Sequence, residues 1–258
     1  MTTQPATWTQ TRFPILALLN PREYTWLLLV TLGLGAALGT ALVRVYRQPL
    51  WVAVAAGLAL LLLPGVLKWR ADARRYGYVV MALGMLLVAQ GFHGAEHAAQ
   101  WLQYHVLNWS ARASTGLLSP ANSEWVHFVW NWTVLVLVVA LIAGGMRNRW
   151  AWLLLLWAAA HTLEHTYMFT RYLEVLAELR RMGVTKITAQ GLPGILGQDG
   201  WLARSDTTQG TFLCRLPAVT TAIRLDVHFW WNVGETVLLA LAAHAFLRKQ
   251  PLHERPIS

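Results

Sequence analysis

Two pentapeptides share one polar skeleton and lie inside long apolar runs: His93-Gly94-Ala95-Glu96-His97 and His161-Thr162-Leu163-Glu164-His165. Residues i and i+4 stand on one face of a helix, so each copy aims two imidazoles the same way, with a carboxylate at i+3 beside them. Eleven residues after its first histidine each copy has a tyrosine, Tyr104 or Tyr172. A second apolar run then opens His-Phe-x-Trp-Asn, as His127-Phe128-Val129-Trp130-Asn131 and as His228-Phe229-Trp230-Trp231-Asn232. His127 and Asn131 share a face by the same spacing, and so do His228, Asn232 and Glu235. A two-helix unit is duplicated, and its polar residues recur in step.

Ionisable groups inside a bilayer are costly and mark sites or pathways, and repetition in register makes accident a poor explanation. The expected metal ligands are His93, Glu96, His97, His127, His161, Glu164, His165 and His228, with Asn131, Asn232, Glu235, Tyr104 and Tyr172 supporting them. Glu235 has no counterpart, since Val134 stands in its place; it is expected as an asymmetric ligand or as the partner of Arg224. For the two tyrosines, packing at the interface is the main expectation, with a redox or proton-relay role behind it. His105 and His244 fall outside the pattern and are read as side chains that hydrogen-bond to a neighbouring helix.

Imidazole with carboxylate suits iron, copper or zinc, and no sulfur ligand is in evidence. The single cysteine, Cys214, excludes an intrachain disulfide and a multi-cysteine zinc or iron–sulfur site. Iron or copper is favoured, in one dinuclear centre or two three-histidine centres, and an open position on the metal could activate oxygen or water. The expected activity is metal-dependent oxidation or reduction of a small or lipophilic substrate. H-x-x-E-H also matches a zinc-peptidase pattern, but two copies with extra helix histidines fit a peptidase poorly. One alternative is electron transfer through b-haem, although the two members of an i,i+4 pair cannot be opposed axial ligands of one haem. Another is a non-enzymatic metal-binding or assembly protein, or a structural subunit of a larger membrane complex. Partner subunits and an electron donor belong to these readings.

The elements that must position these groups are membrane helices. Of the 258 residues 56% are hydrophobic and 13% charged, with a formal net charge of +9; soluble domains carry about 25% charged residues. Many basic residues flank apolar runs, which fits contact with a lipid bilayer rather than with nucleic acid. No cleavable leader is read in residues 1–24, where 14–19 reads as a short interfacial segment. Among the fifteen tryptophans, Trp8, Trp26, Trp51, Trp69, Trp109, Trp125 and Trp150 fall near expected span ends, as an aromatic belt does.

Six spans are expected, near 26–43, 51–67, 78–101, 125–144, 150–172 and 226–246, each close to the ~20 residues that cross the hydrocarbon and helical because a span must satisfy its own backbone. The organisation is a segment 1–24, a hairpin 25–75, a first histidine repeat 76–147 and a second 148–258, the repeats running parallel and forming a four-helix bundle. Lys68, Arg70, Arg74, Arg75, Arg147, Arg149, Arg248, Lys249 and Arg255 put both termini in the cytoplasm of a cell (inner) membrane and the histidines toward the outer face. Arg44, Arg47 and the basic residues between spans five and six run against this. The Gly-rich loop 183–215 would then lie above the histidines as a lid or binding loop, with 105–124 as its shorter counterpart.

Overall fold

The computed structural model describes residues 12–185 and 191–249, so Trp8, Arg255 and positions 186–190 of the Gly-rich loop lie outside the described residues. Of the described residues 74% are helical and none is in a strand. Its helices are α1 (Pro14–Leu19), α2 (Thr25–Arg44), α3 (Leu50–Tyr76), α4 (Tyr78–His105), α5 (Glu124–Ala143), α6 (Arg149–Arg181), α7 (Trp201–Arg204) and α8 (Arg224–Leu247). Among the described residues four segments are long and apolar enough to cross a membrane: Arg22–Arg44, Leu50–Tyr76, Tyr78–His105 and Glu124–Ala143. α6 and α8 match the last two expected spans in position but not in apolar length. The polar block from His161 to His165 follows an apolar stretch of only 150–160, and in α8 Asp226, His228, Asn232 and Glu235 precede one of only 236–247. Each stretch is well short of the ~20 residues a span requires. The residues that carry the chemistry are the ones that interrupt the apolar pattern.

Local sequence fixes the helix ends. α3 stops at Gly77, whose φ of +86° suits a residue without a side chain, and its N–H donates to the Ala73 carbonyl at 3.0 Å. α6 is capped by Asn148, whose Oδ1 accepts from the Trp150 and Ala151 amides, each at 3.1 Å. Beyond 172 α6 continues to Arg181 as an exposed, charged helix, with Arg171 paired to Glu174 and Arg181 to Glu178 at i,i+3.

The chain forms two compact units, and each of α4, α5, α6 and α8 gives a segment to both. Unit 1 takes residues up to His93, Leu137–Leu154 and from Thr236 onward. There α2 and α3 approach closely: a Cβ on Gly35 would stand 3.4 Å from the Gly57 Cα, and one on Gly39 would stand 3.5 Å from the Ala53 Cβ. Small residues at a helix contact allow this approach in an apolar solvent. In α2 only Thr31 is buried, while Trp26, Leu29, Leu34 and Leu38 are exposed, as a lipid-facing helix requires. Leu18, Leu83, Leu86, Leu141, Met146, Leu154, Leu239 and Leu247 make the apolar interior of this unit. Among its described residues one acid is fully buried, Asp72, held by Lys68 and, at 3.2 Å, by Arg22.

Unit 2 takes Gly94–Val136 and Leu155–Glu235. It draws on both histidine repeats and holds both long loops, and its interior is polar. His97, His127, His161, His165, His228, Asn131, Asn232, Glu96, Glu164 and Glu235 are all buried there.

Candidate metal centre

The face predicted by i,i+4 spacing is the face that is buried. On α6, His161 is 0% exposed and His165 1%, while Leu163 between them is 61% exposed. Five imidazoles gather ring to ring. His127 stacks on His165 at 5.1 Å between centroids and 6° between planes. His165 meets His161 at 4.9 Å and His228 at 5.0 Å. His97 lies 5.5 Å from His127 and 5.9 Å from His228. His93, one helical turn before His97 on the unbroken α4, offers a ring nitrogen that lies with those of His97 and His127 within a 4.8 Å mutual span, as one ion would require. All six repeated histidines therefore take part.

Backbone and amide partners hold Nδ1 of three of these rings. His127 Nδ1 lies 3.3 Å from the Ser123 carbonyl and His228 Nδ1 lies 2.9 Å from the Arg224 carbonyl, each four residues earlier. A carbonyl only accepts, so Nδ1 carries the hydrogen in both rings. His228 Nε2 is buried and has no hydrogen-bond partner among the described residues. Asn131 and Asn232 donate from Nδ2 to the carbonyls of His127 and His228, at 2.9 and 3.0 Å, and brace the same turns. His97 Nδ1 is 2.9 Å from Gln100 Oε1; Gln100 Nε2 donates to Asn122 Oδ1 at 2.5 Å, and Asn122 Nδ2 to the Thr115 carbonyl at 2.6 Å. A ring with one nitrogen held by an outer partner and the other aimed inward is how metal-binding histidines are oriented. At His165 neither nitrogen has a hydrogen-bond partner among the described residues, because Met168 stands where the first repeat has Gln100.

The two glutamates of the repeated motif face loops. Glu96 accepts from the Leu117 amide at 2.8 Å and the Leu118 amide at 2.8 Å. Glu164 accepts from Ile195 at 3.1 Å and Leu196 at 3.3 Å. Each pair of amides follows a glycine pressed on the carboxylate: a Cβ on Gly116 would come within 2.2 Å of Glu96 Oε1, and one on Gly194 within 1.9 Å of Glu164 Oε1. The loops carry a repeat of their own, Gly116-Leu117-Leu118 and Gly194-Ile195-Leu196, which aligning the two loops after the histidine motifs would have exposed.

Compared with protein-family models, with curated proteins and with solved structures, the chain matches none. Its site has to be read from its own geometry.

The remaining expected residues fall as follows. Glu235 does not meet Arg224: its Oε2 faces His161 Nδ1 at 3.4 Å. Arg224 instead donates to Glu124 Oε1 at 2.7 Å and to the Leu192 carbonyl at 2.5 Å, so one guanidinium ties the start of α5 to the Gly-rich loop. The reason is position on the helix, since Arg224 is in the first turn of α8 and Glu235 three turns further along. Tyr104 packs edge-on against His105 at 4.8 Å and Tyr172 stacks with Phe169 at 6.0 Å, both outside the ring cluster. His105 Nε2 pairs with Asp226 Oδ1 at 2.7 Å, joining the end of α4 to the start of α8. His161 lies flat on Trp231, at 5.1 Å and 8°. Gln100, Glu124, Arg224 and Asp226 are supporting groups that the repeat pattern did not single out.

The loop after α6 leaves a cleft of about 240 Å³. Tyr167, Arg171, Pro193, Gly194, Trp201 and Arg204 are among its lining residues. Gly194 is also the residue that rests on Glu164, so the cleft ends one residue from the clamp beside His165.

Proposed function

We propose that this chain is an integral membrane metalloprotein whose buried histidine cluster holds transition-metal ions, iron or copper by preference, and that it catalyses metal-dependent oxidation or reduction of a small or lipophilic substrate. The observation that carries the reading is the packing of five buried imidazoles ring to ring, with ring nitrogens of His93, His97 and His127 within a 4.8 Å mutual span. Buried neutral imidazoles arranged this way have unfavourable desolvation to offset, and an ion offsets it. Glu96 and Glu164 act on this reading as loop anchors rather than as ligands or as a peptidase base, because both oxygens of each already accept backbone hydrogens. The cleft at Gly194, which Arg171 and Arg204 help to line, has room for a small molecule.

On this proposal the topology is six spans with cytoplasmic termini in the cell membrane. α6 and α8 cross beside α4 and α5 as the second copy of a parallel repeat, and bury their polar faces rather than show them to lipid. The loop around Cys214 then faces outward. Cys214, the sole cysteine, is half-buried and donates from Sγ to the Thr211 carbonyl at 3.2 Å. A membrane-impermeant maleimide is expected to label it in intact cells; labelling only after permeabilisation would reverse the topology.

The activity is tested by oxygen uptake. Detergent-solubilised protein reloaded with iron or copper and given a reduced quinone as donor is expected to consume oxygen faster than metal-free protein. Equal rates for the two would remove the redox reading and leave a binding or assembly role.

A further inference from the structure

The two repeats differ in how the loop after the histidine motif meets its helix. Arg171 stands where the first repeat has Gln103, and Gly194 where it has Gly116. In the first repeat the buried Gln103 closes the loop onto α4: its Oε1 accepts from the Gly116 amide at 2.8 Å and its Nε2 donates to the Gly116 carbonyl at 3.2 Å. In the second repeat the Gly194 carbonyl accepts from the Trp201 amide at 2.9 Å instead. Arg171 turns to Glu174, with 52% of its side chain exposed. The loop there closes on itself, and a cleft of about 240 Å³ stays open between it and α6. Tyr167, Arg171 and Val175, at i, i+4 and i+8 on one face of α6, line its helical side.

The lining sets the chemistry. Two cations, Arg171 and Arg204, face one acid, Asp199, and Tyr167 and Trp201 add flat aromatic surface. Arg204 pairs with Asp199, and its Nε donates to the Gln198 carbonyl at 3.2 Å, which ties it to the loop. Both ion pairs are exposed, at 52% and 54% for Arg171 with Glu174 and 68% and 55% for Arg204 with Asp199. Exposed pairs of this kind contribute little, and each guanidinium has more N–H donors than one carboxylate takes up. Both arginines can therefore accept a further anion. The volume is below the ~300–1,000 Å³ that holds a drug-sized molecule, so the ligand is smaller than that.

We propose that this cleft binds a small organic anion, a phosphate or carboxylate group carried on an apolar body. Arg171 and Arg204 take the anionic group, for which the planar guanidinium fork is suited, and Tyr167 and Trp201 flank the body. The second repeat has exchanged the lock made by Gln103 for a binding site. Binding needs no metal, so this site stands apart from the metal-centre reading and survives its failure. A soluble molecule and an anionic lipid headgroup offer the same chemistry, and the test separates them.

The probe is phenyl phosphate, titrated calorimetrically into the full chain in a neutral detergent. Wild type is expected to bind it saturably. Arg171→Gln, which installs the residue of the first repeat, and Arg204→Gln should each weaken binding ~10-fold or more, as loss of a charged hydrogen bond does. Arg112→Gln makes the same charge change in the first loop and should match wild type. Phenol, which lacks the anion, should bind ~10-fold or more weakly than phenyl phosphate by the same reasoning. Unchanged helical circular dichroism separates ligand loss from misfolding. Repeating the titration in nanodiscs of phosphatidylcholine, with and without phosphatidylglycerol, assigns the source. Loss of phenyl phosphate binding when phosphatidylglycerol is present identifies a lipid headgroup, and retained binding identifies a soluble molecule; both support the site. No saturable binding in wild type, wild-type affinity in both cleft variants, an equal loss in Arg112→Gln, or phenol binding as tightly as phenyl phosphate would each overturn it.

Discussion

The His97→Ala/His165→Ala double variant should purify without bound transition metal, while His244→Ala, outside the cluster, should match wild type. His97 and His165 are 3% and 1% exposed and sit at the middle of the ring contacts, one from each repeat. Loss of an outer partner of a metal-bound histidine costs ~10–100-fold in affinity, and loss of the ligand itself should exceed that at each site. Gln100→Leu gives the intermediate case. It removes only the acceptor from His97 Nδ1, 2.9 Å away, and should weaken binding within that ~10–100-fold range without abolishing it. Elemental analysis on equal amounts of folded protein reads all three variants. Full metal in the double variant would mean that the rings serve only packing.

Glu164→Ala should have the largest effect on stability, with little on metal content. Both oxygens of this buried carboxylate accept from the Ile195 and Leu196 amides. Hydrogen bonds to a charged acceptor contribute roughly 1.5–3 kcal/mol each, and donors left buried without a partner cost more. Release of the loop is therefore expected at a cost on the order of 2–4 kcal/mol after local relaxation and water entry. Limited proteolysis should cut the loop after α6 faster, and the thermal midpoint should fall. Gly194→Ala should produce the same phenotype from the other side of the clamp, since its new methyl group would overlap Glu164 Oε1. Metal loss in Glu164→Ala with the loop still protected would instead make Glu164 a ligand.

The two glutamates show where sequence reasoning reaches its limit. Placing Glu96 and Glu164 beside the histidines needed only the i,i+3 and i,i+4 geometry of a helix. What they bind did not follow, because a carboxylate on a metal-facing stripe looks the same in sequence whether it takes an ion or two backbone amides. The deciding atoms belong to Leu117, Leu118, Ile195 and Leu196, in loops whose path is set by tertiary contacts. Gln100 was hidden for a different reason: its counterpart is Met168, so the repeat that exposed the histidines gave no signal there. The helices themselves were legible from six apolar runs, and the structure has a long helix at each. Membrane-spanning character was plain for α2 to α5 and weaker for α6 and α8, whose apolar stretches are cut short by the site residues they carry. The link from Arg224 to Glu124 spans 100 positions, a separation that no local pattern reveals.

The measurement that bears most directly on the central claim is elemental analysis of the purified, detergent-solubilised wild-type protein, with a visible absorption spectrum from the same sample. Near-stoichiometric iron or copper without a Soret band is the expected result. A Soret band would replace metal ions with haem, and no metal, even after reconstitution, would contradict the account and leave the histidines as packing groups between helices.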